Sequence, residues 1–274
     1  MNFCTIQDFT GIYSEQPFMQ ELRERANVYW MDCTNISGTD CYCDDDAQAE
    51  IRKMMDQAAD RVTANNDAGF TGIHFFDNGN YHYMSKLWTD RVNEDFDLVI
   101  FDHHPDMQPP RFEGILSCGG WVKEVLDNNK FIRNVVLIGV ADHLIEEIKN
   151  EPSAEFKKYA SRVTFIPETL LRTPNFDISQ VALAALRSSN LYISIDKDVL
   201  SIDDVVTNWD QGSLTFEQLE NILKNLFAHR KILGVDICGE RARNQDFPEG
   251  IDEGSADATN NALNKKIFSL LDVL

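Results

Sequence analysis

Short apolar runs recur along the chain, and amphipathic stretches fill the intervals between them. Eight runs have strand length and composition: residues 3–6, 28–31, 72–76, 98–101, 135–140, 163–166, 191–195 and 232–237. Most are continuously apolar rather than alternating, a pattern that suits strands buried on both faces of a parallel sheet. Between them the period changes. Ala47, Ile51, Met54, Met55 and Ala58 fall on one helical face, and Asp44, Asp45 and Asp46 precede them where a helix N-terminus favours negative charge. Thr215-Phe216-Glu217-Gln218 has the form of a capping box, followed by Leu219, Ile222, Leu223, Leu226 and Phe227 at core spacing. Residues 256–271 read as a closing helix. Strands that alternate with helices predict a three-layer α/β/α fold with a mainly parallel, roughly eight-stranded sheet. No repeat or Pro/Gly-rich linker divides the chain, so residues 1–274 are expected to form a single domain.

Composition narrows the function classes. Lys and Arg number 25 against 45 Asp and Glu, a formal net charge of −20. Nucleic acid and anionic membranes both require clustered basic residues and are excluded as expected partners. A small, cationic substrate is compatible with this charge. No apolar stretch reaches membrane-spanning length and the N-terminus lacks the pattern of a signal peptide, so a cytoplasmic location is expected. Six cysteines are then expected to be thiols. The spacing of Cys33, Cys41 and Cys43 fits no standard zinc pattern.

The candidate chemistry sits where strands end, the usual ligand-binding edge of an open α/β sheet. The run 98–101 leads into Asp102-His103-His104-Pro105-Asp106. Asp102, His104 and Asp106 at alternate positions would share a face if the backbone stays extended, and Pro105 biases His104 that way. Oxygen and imidazole donors together suit Mn, Zn or Fe(II). The run 191–195 leads into Asp196-Lys197-Asp198, repeating the spacing. Gathering so many carboxylates in one crevice costs several kcal/mol unless cations compensate them, which points to a dinuclear metal centre with two bridging carboxylates. A third strand leads to Gly79-Asn80-Tyr81-His82-Tyr83, where a turn at Gly79 would aim His82 over the sheet end as a sixth ligand. His74, inside that strand, reads as a hydrogen-bonded core histidine. The irregular segment 241–254, with Asp246, Glu249, Asp252 and Glu253, is either part of the site or a solvated acidic loop.

These residues resemble the arginase, agmatinase and formimidoylglutamase family of ureohydrolases. That family carries, in order, a Gly-Gly-Asp-His-Ser turn, an Asp-x-His-x-Asp strand end and a Ser-x-Asp-x-Asp strand end. Gly79-Asn80-Tyr81-His82-Tyr83 keeps the leading Gly and the His of the first, while Asp102 to Asp106 and Ser194 to Asp198 match the other two at every ligand position. The resemblance implies two Mn(II) ions, with Zn or Fe(II) as alternatives. His82 and Asp106 would be terminal ligands of one ion, His104 and Asp198 of the other, with Asp102 and Asp196 bridging. It also implies a bridging hydroxide that attacks a guanidinium or amidine carbon. Members of such families often form oligomers, so a homo-oligomer is a further expectation.

The chain departs from the family around the ligands. Val199-Leu200 follows Asp198 where the family has Asp-Pro, and residues 116–121 lack the loop His that arginases use for proton transfer. His143 stands as a displaced proton shuttle and Asp142 as the remaining acid for a substrate amino group. Asp236 or Glu240, at and just beyond the end of the last strand, would take the guanidinium-binding role. Asp106, His143 and Glu240 are therefore the catalytic candidates, and Asp142, Asp236 and Glu240 the substrate-binding ones; arginine is not the expected substrate. Two other readings stay open: a single-zinc deacetylase-like amide hydrolase, and a catalytically silent relative that binds metal or a small ligand.

Overall fold

In the computed structural model, which describes residues 3–63, 72–109, 114–150, 156–174 and 176–273, all eight apolar runs are strands of one sheet. They are β1 (Cys4–Asp8), β2 (Val28–Asp32), β3 (Ile73–Phe75), β4 (Phe96–Phe101), β5 (Ile132–Ile138), β6 (Val163–Ile166), β7 (Asn190–Asp196) and β8 (Lys231–Cys238). Every neighbouring pair is parallel, and the order across the sheet is β2-β1-β3-β8-β7-β4-β5-β6.

Continuous hydrophobicity has a direct cause here. Both faces of the sheet are covered, so successive side chains enter different cores. In β4, Leu98 and Ile100 pack into one cluster and Val99 and Phe101 into the other. The first cluster includes Ala47, Ile51, Met55 and Ala58 of the helix Asp45–Thr63. The second includes Leu219, Ile222, Leu223 and Leu226 of the helix Phe216–His229 and Leu263, Ile267 and Leu271 of the closing helix Glu253–Val273. The capping box forms as expected: Thr215 Oγ1 accepts from the Gln218 amide at 3.2 Å, and Gln218 Oε1 accepts from the Thr215 amide at 3.0 Å. His74 is a buried core residue, bonded at 2.8 Å to Thr5 Oγ1 and stacked on Trp88.

A two-stranded antiparallel ribbon, Tyr42–Cys43 against Leu116–Ser117, lies outside the main sheet. Two residues per strand are too few to leave a periodic signal in sequence. The topology also places the site. The chain runs through β1 to β3 on one side, then crosses two places to reach β4, and β7 and β8 later fill the gap. The carboxyl ends of β3, β8, β7 and β4 therefore lie side by side where the strand order changes direction, the position that forms a crevice in such sheets.

Candidate metal centre

Asp102 lies one residue beyond β4, and the segment that follows it turns rather than continuing as a strand. Asp102 Oδ1 accepts a hydrogen bond from the His104 amide at 2.6 Å, an Asx turn that folds the side chain back over its own backbone. Asp106 sits at φ 48°, in the left-handed region that Asp tolerates better than most residues. The expectation of an extended pentad is therefore corrected: Asp102, His104 and Asp106 converge through a tight turn, not through strand alternation. Asp106 is held by the indole of Trp121, which donates to its Oδ2 at 2.7 Å.

The second ligand segment uses the same device. Asp196 Oδ1 accepts from the Asp198 amide at 3.0 Å, and a 3-10 turn, Lys197–Val199, carries Asp198 across to β4's side. There Asp198 Oδ1 accepts from the His103 amide at 3.0 Å, and its Oδ2 lies 2.9 Å from His104 Nδ1. The sheet register sets this meeting, since Phe101 of β4 pairs with Ile195 of β7 and Asp196 pairs with Cys238 of β8.

His82 reaches the same place from the loop after β3. Asp77, at φ 56°, anchors that loop by accepting from the amides of Phe9 (3.0 Å), Thr10 (2.7 Å) and Asn78 (2.8 Å). Burial raises the Asp77 carboxyl to about 7. Gly79 serves by leaving room rather than by an unusual φ: a Cβ there would stand 2.7 Å from Trp209 Cδ1 and 3.0 Å from Asp196 Oδ2. The His82 ring donates to or accepts from Ser194 Oγ through Nε2 at 2.8 Å, which leaves Nδ1 facing the carboxylates.

Nδ1 of His82 lies 3.1 Å from Asp102 Oδ2, 3.0 Å from Asp106 Oδ2 and 3.5 Å from Asp196 Oδ2. It completes a hydrogen bond of acceptable angle with none of them, and Asp102 Oδ2 is likewise left without one, though both atoms are buried. Donor atoms that converge without bonding to one another are what a cation requires of its cage. Three overlapping triads bring ligand atoms within 4.8 Å of one another: His82, Asp102 and Asp106; Asp102, His104 and Asp198, in which His104 Nδ1 and Asp198 Oδ2 are hydrogen-bonded at 2.9 Å; and His82, Asp196 and Cys238. The residues present thus fit a pair of divalent ions.

The electrostatics agree with that fit. Burial pushes Asp196 up to about 7, with the Asp198 charge adding to it, and burial and the Asp102 charge raise Asp198. Burial by itself would lower both imidazoles, yet Asp102 with Asp106 holds His82 well above its usual range, and Asp102 with Asp198 does the same for His104. Acids that resist ionising beside bases that resist deprotonating describe a crevice short of positive charge. Lys197 does not supply it, because its ammonium is bound to Glu240 and, at 3.0 Å, to Asn264 Oδ1.

A cavity of about 340 Å³ opens over the His104 side, lined among others by Asp102, His104, Asp106, Asp196, Asp198 and Trp209. Its rim includes Cys41 and Cys118 at the ends of the small ribbon. His82 lies behind this wall, 1% exposed. Asp210, missed in the sequence reading, accepts from His104 Nε2 at 3.0 Å and fixes the ring from outside. Cys238 was missed as well; its Sγ lies 3.2 Å from Asp196 Oδ2. Trp121, Asp210 and Cys238 are all brought in by tertiary register, which leaves no local motif to find them by.

The other expected site residues are not brought to the cavity. Asp142 starts the helix Asp142–Asn150 and spends its carboxylate on Thr169, accepting from the amide at 3.2 Å and the hydroxyl at 2.7 Å. His143 is exposed on the same first turn, and from that helix Leu144 lines the cavity instead. Asp236 is buried inside β8, where Tyr192 OH donates to it at 2.8 Å and burial raises it to about 7. Glu240 is closed within a buried network of Lys197, Asn264 (2.6 Å), Asn260 (3.0 Å) and Gln16 (2.8 Å). Desolvation would raise its carboxyl, but Lys197 together with the Asn264 and Asn260 amides offsets this and holds it below the usual range. The acidic residues of 241–254 are exposed and lie outside the cavity lining.

The sequence profile of the arginase family matches residues 14–240. The chain belongs to the arginase family, whose members are hydrolases acting on non-peptide C–N bonds. An uncharacterised protein of Thermotoga maritima is 28% identical over 235 residues, covering 86% of this chain and 78% of that one. The fold is similar to that of an arginase from Bacillus subtilis, with a TM-score of 0.66 at 12% identity over 99% of this chain and 98% of the other. It is also similar to the formimidoylglutamase of Bacillus subtilis, with a TM-score of 0.61 at 14% identity over 96% and 86% of the two chains.

Glu240 offers a test of the structural role that the network gives it. Glu240→Ala would leave the Lys197 ammonium buried without a counter-charge, and urea denaturation is expected to register a loss of about 3–5 kcal/mol. A variant within about 1 kcal/mol of wild type would show that the ion pair does not brace the turn behind Asp196.

Proposed function

We propose that this arginase-family chain is a binuclear metal-dependent hydrolase that cleaves a C–N bond in a small guanidino or amidino compound. The observation that supports this reading most is the pair of ligand triads that share Asp102. His82 and Asp106 would hold one ion, His104 and Asp198 the other, with Asp102 and Asp196 between them. Mn(II) is the first candidate, and Zn(II) or Fe(II) the alternatives that the same donors admit. Two such ions would lower the pKa of a water shared between them and so provide a nucleophile near neutral pH.

The remaining work falls to the chain's own residues. The chain's net charge of −20 favours a cationic substrate, and a volume near 340 Å³ limits it to a small molecule. Trp209 stands at the cavity edge with its ring 5.6 Å from that of His104, and its indole nitrogen donates to Asn80 Oδ1 at 3.0 Å. A fixed indole face beside a carboxylate cluster suits a planar cation. Asp106 faces the cavity and is oriented by Trp121, so it is placed to take the proton of the attacking water and pass it to the departing nitrogen. The water oxygen bonds to the central carbon, the C–N bond of the resulting tetrahedral adduct breaks as its nitrogen takes that proton, and the second water proton passes to solvent, so that the amine leaves neutral.

The decisive assay measures urea or ammonia release from agmatine, guanidino acids and formimino compounds with Mn(II)-loaded protein. Turnover of at least one is expected, and Asp102→Ala or Asp196→Ala should abolish both turnover and two-ion binding. Silence across the panel with two ions bound would overturn the hydrolase reading, and retention of two ions in either variant would overturn the bridging assignment. For the substrate found, Trp209→Ala should raise KM by about 2- to 30-fold with kcat little changed, the equivalent of about 0.5–2 kcal/mol of cation–π contact. An unchanged KM would remove Trp209 from recognition.

A further inference from the structure

Cys238 ends β8, the strand between β3 and β7, with its sulfur turned toward Asp196 at the metal crevice. It pairs in register with Asp196, and it is fully buried. Its Sγ lies 3.2 Å from Asp196 Oδ2, the same oxygen that stands 3.5 Å from His82 Nδ1. One ligand atom from each of His82, Asp196 and Cys238 falls within 4.8 Å of the others. The independent sign of a ligand is His82 itself, whose Nδ1 is 1% exposed at the side chain and makes no hydrogen bond.

We propose that Cys238 is a sulfur ligand to the ion on the His82 side of the centre, giving that site a mixed oxygen, nitrogen and sulfur donor set. The inference rests on the two-ion reading above and specifies one of its two sites. Metal–ligand bonds of about 2.0–2.3 Å place adjacent donors about 3–3.7 Å apart, a range that holds both the 3.2 Å Sγ–Oδ2 and the 3.5 Å Nδ1–Oδ2 separations. As the ion binds, the thiol proton passes to solvent and the sulfur lone pair forms the new bond, with no change of oxidation state. The backbone keeps the sulfur in place. Gly239, at φ 91°, lets the end of β8 press so close that a Cβ there would stand 2.4 Å from Asp196 Oδ1 and 2.6 Å from the Lys197 amide nitrogen.

A thiolate changes which metals the site prefers. Sulfur donors favour Zn(II), Co(II) and Fe(II) over the harder Mn(II), so the His82 side should select a softer ion than the His104 side, whose donors are carboxylate and imidazole. The competing explanation is that Cys238 serves as a neutral thiol that donates to Asp196 and orients it. Cys238→Ser separates the two, because the hydroxyl keeps the donor and loses the sulfur.

The experiment is anaerobic titration of the metal-free full-length protein with Co(II), read by absorption. Wild type is expected to develop a near-ultraviolet sulfur-to-cobalt charge-transfer band together with the visible ligand-field bands. Cys238→Ser should lose the charge-transfer band while it keeps the ligand-field bands, and Cys118→Ser, at the cavity rim, should keep both. Zn-loaded wild type examined by X-ray absorption gives a second readout that needs no variant, with a sulfur neighbour expected at about 2.3 Å. Co(II) binding without the charge-transfer band, or a band that survives in Cys238→Ser, would overturn the sulfur ligand while leaving the two-ion reading intact. Failure of the wild type to bind any ion would overturn both.

Discussion

Everything about this molecule's site follows from the cost of burying like charges together. Asp102, Asp196 and Asp198 are each 3% exposed or less, and Asp106 is 7% exposed, within one crevice. Carboxylates so placed repel one another and lose their hydration, and the two imidazoles among them recover only part of that cost. The rest of the fold is arranged so that they cannot move apart. A sheet buried on both faces fixes the strands, parallel register brings Asp102 and Asp196 level, and each of these residues bonds to the amide two positions on. The stability of the two cores is thus what holds an electrostatically unfavourable cluster in a form that cations relieve.

A layer of supporting contacts surrounds the six donors. Ser194 fixes the His82 ring, Asp210 the His104 ring, and Trp121 the Asp106 carboxylate. Such contacts set tautomer and direction before any ion arrives. Behind Asp196, the buried Lys197–Glu240 pair turns a positive charge away from the crevice, so the residue between the two aspartates does not neutralise them. Glu240 therefore braces the turn and does not face the cavity. That placement separates this chain from the expectation that an acid beyond the last strand would grip a guanidinium.

Much of this was legible in the sequence, for physical reasons that can be named. Two-face burial writes a strand as an unbroken apolar run, so the eight strands were marked to within three residues at each end. Strand-end carboxylates and histidines at short spacings marked the donor set, since few structural roles need so many at one sheet edge. Other features depended on contacts between distant segments. Cys238 faces Asp196 because of register, Asp210 meets His104 because a loop returns, and Asp142 is captured by Thr169 across a neighbouring element. The turn at Asp102 escaped as well, because alternate spacing is compatible with either an extended segment or an Asx turn, and side-chain-to-backbone bonding selects the second.

The proposed centre has two ions that share Asp102 and Asp196. It is tested most directly by low-temperature electron paramagnetic resonance on protein loaded with Mn(II) and quantified for metal content. Two Mn(II) per chain are expected, or one Mn(II) beside one softer ion when both are offered, with an exchange-coupled multiline spectrum in the all-manganese form. A single ion at saturation, or the hyperfine pattern of isolated Mn(II) with two bound, would contradict it.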